Sequence, residues 1–270
     1  MTHPMHLATL PSDQASDGTR FFWTSRGVRD MALVASQRDF ANPTLPDTSA
    51  LLKSARQRFI YRHRNDTGSK VVKLFPLTLL GSLHPRKYAL AEFENTQAAK
   101  ALGLSVPNTH AYIEKRRRGR ITCVGVVFED LTGYGELSKL LRRKTFSLAE
   151  CGDIAARALV ELYNKGVNHL DARDANIMVE PDTRALSIID WQYADFIAPR
   201  ADRLLEHLAG FYLQHSPEHR DAYLDTGWLR TLHDRSAHPT PYDAFSARIL
   251  TLASRKRSLS ERAKLLPVPD

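Results

Sequence analysis

An eight-residue polar block constrains the path of this chain more tightly than any other feature. His169-Leu170-Asp171-Ala172-Arg173-Asp174-Ala175-Asn176 follows Gly166, the glycine stop of a helical pattern. Asp190 stands fourteen residues beyond Asn176, closing the apolar run Leu186-Ser187-Ile188-Ile189. Asp and Asn side chains bond to nearby backbone and favour turns over regular elements, whereas a short apolar run bounded by turn residues reads as a buried strand. The order helix stop, loop, strand is therefore built in. The bland alternative is an Asx-rich turn in which Asp171, Asp174 and Asn176 only cap backbone groups.

The rest of the chain divides by periodicity. Residues 1–50 mix Pro, Ser, Asp and Thr around two apolar patches, Phe21-Phe22-Trp23 and Met31-Ala32-Leu33-Val34. They read as a loosely held arm whose aromatic patch docks on the body or on a partner. Within residues 58–75, Phe59, Tyr61 and His63 alternate, Asn65-Asp66-Thr67-Gly68 supplies turn residues, and Val71-Val72-Lys73-Leu74-Phe75 completes a hairpin pattern. Residues 86–102 lack Pro and Gly and end at Gly103, which predicts a helix with a glycine stop. Strand-like runs at 110–113 and 121–128 flank a basic turn, Lys115-Arg116-Arg117-Arg118-Gly119-Arg120.

The second half is helical. Ser147-Leu148-Ala149-Glu150 is a capping box, and Leu148, Ile154, Leu159 and Leu162 then share one face up to Gly166. Segments 201–214, 242–254 and 258–266 also read as helices. The fold class is α+β: after the arm, a small β-rich N-lobe over residues 51–133 and a larger α-helical C-lobe over 134–270.

With 270 residues, 43% of them hydrophobic, the chain has enough apolar surface to bury a core, which excludes wholesale disorder. A net charge of +8 favours anionic partners. Cys123 and Cys151 lie in separate apolar segments without metal-ligand spacing and are expected as buried, reduced thiols. No N-terminal run has the layout of a signal peptide, and the apolar stretch at 71–83 is broken by Lys73 and Pro76, so a cytoplasmic location without a spanning helix is expected.

The polar residues match what phosphoryl transfer needs, which is alignment of nucleophile and phosphorus together with neutralisation of charge. Asp171 is placed to accept or orient the proton of an acceptor hydroxyl. Asn176 and Asp190 are hard oxygen donors suited to magnesium. His169, just ahead of the loop, is expected as a scaffold residue. Lys73 interrupts an apolar strand and needs a partner if buried. Glu92, nineteen residues on in the next helix, is the candidate, with Glu94 the alternative on another helix face.

Taken in order, Val71-Val72-Lys73, Glu92 ahead of Gly103-Leu104-Ser105-Val106-Pro107, Phe128-Glu129-Asp130-Leu131-Thr132-Gly133, the His169-to-Asn176 block, and Ile189-Asp190 resemble the lipopolysaccharide-core sugar kinases of Gram-negative bacteria. These include Kdo and core heptose kinases, within the protein-kinase-like superfamily. The resemblance covers roughly residues 57–210. It implies a bilobal protein-kinase-like fold, with ATP and Mg2+ used in catalysis. It also implies Asp171 as catalytic base, Asn176 and Asp190 as metal ligands, Lys73 as phosphate contact and Glu92 as its pair. Arg173 stands where many kinases keep a lysine that steadies the γ-phosphate. The segment 129–131, with Glu129 and Leu131 at its ends, is implied as the hinge that contacts adenine through backbone atoms. Asp202 resembles the acid that anchors the catalytic loop in phosphotransferases, although a helix N-cap explains it equally well.

Some features depart from the protein-kinase pattern. No G-x-G-x-x-G precedes Lys73, Asp190 is followed by Trp191-Gln192, and no Ala-Pro-Glu follows downstream. A constitutive kinase of glycans or small molecules fits this better than a protein kinase. The expected activity is ATP-dependent phosphorylation of a sugar hydroxyl of the lipopolysaccharide inner core. The expected partners are ATP and an anionic glycolipid or sugar acceptor. The basic turns, simplest as solvated loop tips, admit peripheral contact with the cytoplasmic face of the inner membrane. Nucleic acid is not expected, for no base-reading motif accompanies them. The competing readings are a phosphotransferase of the aminoglycoside or choline kinase type, whose strand-Asp-Trp pattern Asp190-Trp191 echoes, and a nucleotide-binding pseudokinase. Trp191 and Tyr193 are candidates to stack on a sugar, with packing in the core the expected fate of both.

Overall fold

Strand periodicity in the first half of the chain becomes one antiparallel sheet. The computed structural model describes residues 12–14, 19–23, 49–55, 58–65, 68–78, 88–215 and 219–265. The chain forms two units, one drawn from Met1–Ala98 and Pro107–Thr132, the other from Ala99–Val106 and Gly133–Asp270.

The first unit holds β1 (Ser12–Gln14), β2 (Thr19–Trp23), β3 (Ser49–Ala55), β4 (Arg58–Asn65), β5 (Gly68–Pro76), the start of α1 (Ala89–Ala101), β6 (Thr109–Arg117) and β7 (Arg120–Glu129). Its strands pair in the order β1-β2-β6-β7-β5-β4-β3, with every ladder antiparallel. β5 lies between β4 and β7, so Lys73 stands opposite Ile60 on one side and Val126 on the other. Both faces of this strand are covered: Val72 and Leu74 are buried beside Phe59 and Tyr61, while Phe75 packs with Ala89, Phe93, Val124 and Val126.

Part of the expected arm belongs to this sheet. Residues 12–14 and 19–23 form β1 and β2, and Phe21-Phe22-Trp23 pairs with Ile113, Tyr112 and Ala111 of β6. Aromatic residues suit a pleated surface, and a neighbouring strand satisfies backbone groups that a loose arm would leave to water. The second patch, Met31-Ala32-Leu33-Val34, lies outside the described residues. The basic turn is also shorter than expected. β6 continues through Arg117, and Arg118 and Gly119 alone make the bend, both with positive φ (49° and 79°). A two-residue turn of that hand matches the twist of the flanking strands.

The second unit holds β8 (Gly135–Glu136), α2 (Leu137–Arg142), α3 (Leu148–Asn164), β9 (Val167–His169), β10 (Ile177–Val179), β11 (Leu186–Ile188), β12 (Ala194–Phe196), α4 (Leu204–His215), α5 (Arg220–Asp225), α6 (Trp228–Ser236), α7 (Tyr242–Ala253) and α8 (Leu259–Ala263). Ser147 and Glu150 form the expected capping box at the start of α3, worth about 1 kcal/mol. Ile154, Leu159 and Leu162 of α3 enter the main core with Leu205, Leu208, Phe245 and Ile249 from α4 and α7. The Trp228 indole donates to the Gly152 carbonyl at 2.9 Å and ties α6 to α3. The short helices α2, α5 and α6 escape a sequence reading because fewer than three full turns carry too few apolar repeats to show a period.

Candidate active site

The loop after α3 is held at both ends by backbone pairing. Gly166 ends the helix at φ +68°, and β9 then pairs with β12, placing His169 opposite Ala194. Leu170 N–H donates to Tyr193 O at 3.0 Å, and Ala172 N–H to His169 O at 3.0 Å. Asp174–Asn176 is one turn of 3-10 helix leading into β10, which pairs with β11. Ile189 N–H donates to Asn176 O at 3.0 Å, so Asn176 and the Ile189-Asp190 step share one end of the hairpin. Asp190 sits in the left-handed region (φ 66°, ψ 55°), where Asp is among the better tolerated non-glycine residues. A residue held there against its preference is a mark of functional loops.

The side chains follow this frame. Asn176 Nδ2 donates to the Asp171 carbonyl and to Asp171 Oδ2, each at 2.9 Å. With its NH2 turned to Asp171, the Asn176 amide presents its oxygen the other way, as a metal ligand must. Arg173 leaves its Nε 3.5 Å from Asp171 Oδ1, so it is oriented by the carboxylate two residues before it. His169 is fully buried. It donates from Nε2 to Ile189 O at 3.2 Å and stands edge-on to Trp191 with centroids 4.8 Å apart. Burial holds its pKa below the ordinary histidine value despite Asp171 and Asp190 nearby, so it is a neutral strut between the two ends of the site. Trp191 is in the core and donates to Ile188 O at 2.8 Å, whereas Tyr193 remains 36% exposed instead of packing inside.

In the first unit, Lys73 and Glu92 form a buried pair. Lys73 Nζ is 2.7 Å from Glu92 Oε2 and 2.8 Å from Oε1, with both residues at most 5% exposed. Glu92 belongs to the first turn of α1, where a carboxylate also complements the helix dipole. In the same unit Glu129 Oε2 accepts from Asn108 N at 3.1 Å and Nδ2 at 2.6 Å, and its own N–H donates to Asn108 O. Asp130, between Glu129 and Leu131, accepts from Ser69, Arg62 and Thr132. Burial pushes its carboxyl up, but these bonds outweigh that and hold it below the usual carboxylate range.

Asp202 does not anchor the loop. Its side chain is 79% exposed and its described ion pair is with the neighbouring Arg203 at 3.8 Å. A different residue reaches the loop: Arg262 of α8 donates to Leu170 O at 2.9 Å and lies against the His215 ring, its Nη2 3.1 Å from Nε2 and 3.4 Å from Nδ1, while His215 Nε2 lies 3.9 Å from Asp171 Oδ1. Sequence reasoning missed both. The Ser258-x-x-Glu261 capping box marks the start of α8, but no local signal says that the next residue turns inward.

Among the described residues no group of three or more His, Cys, Asp or Glu is arranged for a metal. One carboxylate and one amide oxygen still suit magnesium, which is usually bound by one or two protein oxygens and completed by substrate phosphates and water. Cys123 and Cys151 are free and buried, and burial pushes each thiol up to about 12, so neither is a nucleophile. A cavity between α4 and α7, lined by Arg203, Glu206, His207 and Arg248, includes none of Asp171, Asn176 or Asp190. No described helix is long and apolar enough to cross a membrane.

The N-terminal antiparallel sheet with helices after it defines the class: this is a kinase-like fold. WaaP, solved in complex with acyl carrier protein, shares this fold at a TM-score of 0.52 and 18% identity over 80% of this chain and 88% of that one. A 2.2 Å crystal structure of WbdD aligns with a TM-score of 0.47 and 19% identity, over 84% of this chain and 47% of WbdD. No protein-family model matches the sequence, and no curated protein matches it.

Proposed function

We propose that this protein is an ATP- and magnesium-dependent kinase that phosphorylates a sugar hydroxyl of the lipopolysaccharide inner core. The observation that carries the reading is the Asp171 carboxylate clamped by Asn176, with Asp190 closing the same hairpin end. The kinase-like fold shared with WaaP supports the class of reaction, and the motif order supports the acceptor.

In this reading the acceptor oxygen attacks the γ-phosphorus, the bond to the β-phosphate oxygen breaks, and the hydroxyl proton passes to Asp171. Asn176 and Asp190 hold magnesium, which when bound supplies positive charge against the phosphates. Lys73, steadied by Glu92, contacts the α- and β-phosphates. Arg173, at the loop surface, offers a cation to the γ-phosphate. Residues 129–131 contact adenine through backbone groups. The net charge of +8 suits an anionic glycolipid and peripheral contact with the cytoplasmic leaflet.

Incubation with labelled ATP and magnesium, with extracted core lipopolysaccharide beside a panel of small alcohols and aminoglycosides, tests the reading. Label is expected on the core oligosaccharide, and none with Asp171→Ala. Label only on choline or an aminoglycoside overturns the acceptor and keeps the reaction. No turnover in any arm leaves the pseudokinase reading.

A further inference from the structure

Arg262 lies in a five-residue helix at the edge of the unit, yet it is only 2% exposed. A guanidinium buried to that degree must find acceptors and charge compensation, or the fold loses several kcal/mol. Nη1 donates to the Leu170 carbonyl, Nη2 rests against the His215 ring, 3.1 Å from Nε2 and 3.4 Å from Nδ1, and the guanidinium lies over the Phe211 ring, its carbon 4.8 Å from the centroid. The Leu170 carbonyl is half of the peptide unit that joins Leu170 to Asp171, so fixing that oxygen fixes the plane from which Asp171 departs.

His215 completes the arrangement. Its Nδ1 lies 3.0 Å from the Phe211 carbonyl. A carbonyl only accepts, so this bond places a proton on Nδ1, and burial with the Arg262 cation beside it holds the ring's pKa below the ordinary histidine value, which leaves a lone pair on Nε2. Nε2 faces Asp171 Oδ1 at 3.9 Å but has no proton to give it. Asp171 Oδ2 is meanwhile taken by Asn176. Arg173 Nε lies 3.5 Å from Oδ1.

We propose that Arg262 is a positioning residue for phosphate transfer: its guanidinium locks the peptide unit ahead of Asp171 and packs His215, protonated on Nδ1, beside Asp171, which leaves Asp171 Oδ1 to the acceptor hydroxyl. The proposal rests on the kinase reading, in which Asp171 is the base. Lysine cannot replace Arg262, because an ammonium group lacks the planar guanidinium that donates to the Leu170 carbonyl while lying against the Phe211 and His215 rings.

The test compares wild type, Arg262→Lys and Arg262→Ala in steady-state transfer from ATP, with thermal melts and nitrogen-15 histidine spectra of the unliganded proteins. Arg262→Lys is expected to lower kcat about 10- to 100-fold, the scale of a small misplacement of a reacting group. KM for ATP is expected to stay unchanged, since Lys73, Asn176 and Asp190 are untouched. Millimolar methylguanidine is expected to restore part of the kcat of Arg262→Ala. The wild-type His215 signal, assigned by its loss in His215→Gln, is expected to show a proton on Nδ1 alone near neutral pH, and to titrate at a higher pH in Arg262→Ala, where the neighbouring cation is gone. Wild-type kcat in both folded Arg262 variants overturns the proposal, as does a wild-type His215 protonated on Nε2. If Arg262→Ala fails to melt cooperatively, Arg262→Lys and the wild-type spectrum decide. A wild type that shows the Nδ1 proton but transfers no phosphate removes the kinase reading, and the positioning role with it.

Discussion

Asn176 grips Asp171 twice, donating both N–H groups of its side-chain amide to the carbonyl and to the carboxylate of a residue five positions earlier. One amide therefore sets both the backbone and the rotamer of the proposed base. The same bonds turn the amide oxygen outward, so the two roles assigned to Asn176 and Asp171 depend on each other.

Asn176→Asp separates these roles. A carboxylate is a good magnesium ligand, but it has no donor for Asp171 and adds a like charge beside it. Phosphate transfer is expected to fall at least as far in Asn176→Asp as in Asn176→Ala, and urea denaturation is expected to show a loss of about 1–3 kcal/mol in each. Activity in Asn176→Asp near the wild-type rate would show that the clamp is dispensable.

The Lys73–Glu92 pair lies in a sheet-and-helix core where an unpartnered charge is costly. Lys73→Met alone is expected to cost about 3–5 kcal/mol, because Glu92 is left buried without its cation, whereas Lys73→Met with Glu92→Leu recovers most of that loss. The double variant is expected to stay inactive. Chemical denaturation read by circular dichroism checks the stability order, and a double variant as unstable as the single one would count against the pair.

His207 of α4 is 5% exposed, and burial holds its pKa at about 4 against an ordinary 6.5. Glu206 raises it and Arg203 and Arg257 lower it, but desolvation dominates. The unfolded chain therefore binds a proton that the folded chain refuses between about pH 6.5 and 4, and stability present above that window is lost as pH falls through it. The loss is on the order of 3 kcal/mol for His207. His169 and His215, also lowered by burial, act in the same direction. Urea midpoints at pH 7 and pH 4.5 should differ less in His207→Gln than in wild type, and an equal difference would exclude His207 as a source of the slope.

Gly166 stops α3 and starts the path into the loop. Its φ is +68°, and a Cβ there would lie 2.6 Å from the Ala198 carbonyl oxygen. Gly166→Ala is expected to cost more than about 2 kcal/mol, since backbone strain and collision add. Gly227→Ala, at φ +72° with nothing within 4 Å of its Cβ, should cost only the strain, about 1 kcal/mol. Equal denaturation midpoints for the two variants would show that the Ala198 contact relaxes freely.

Pattern along the chain determined the parts that follow local rules. Alternation gave the β4–β5 hairpin, a capping box began α3, and glycine ended it. Lys73 announced its need for a partner because it interrupts an apolar strand, and Glu92 lay on the nearest helix. Turn chemistry marked the His169-to-Asn176 block as a loop between a helix stop and a strand. Only the tertiary structure decided which distant groups serve that loop. Asp202, close in sequence, stays in solvent, while Arg262 and His215, 92 and 45 residues beyond Leu170, reach it. Strand β2 is a similar case, since its ladder partner β6 comes from far along the chain, and β1 joins the sheet through β2. The physical reason is the same in each. Periodicity and capping are settled within a few residues, but the partner of a buried polar group is chosen by packing, which brings together whatever side chains can satisfy it.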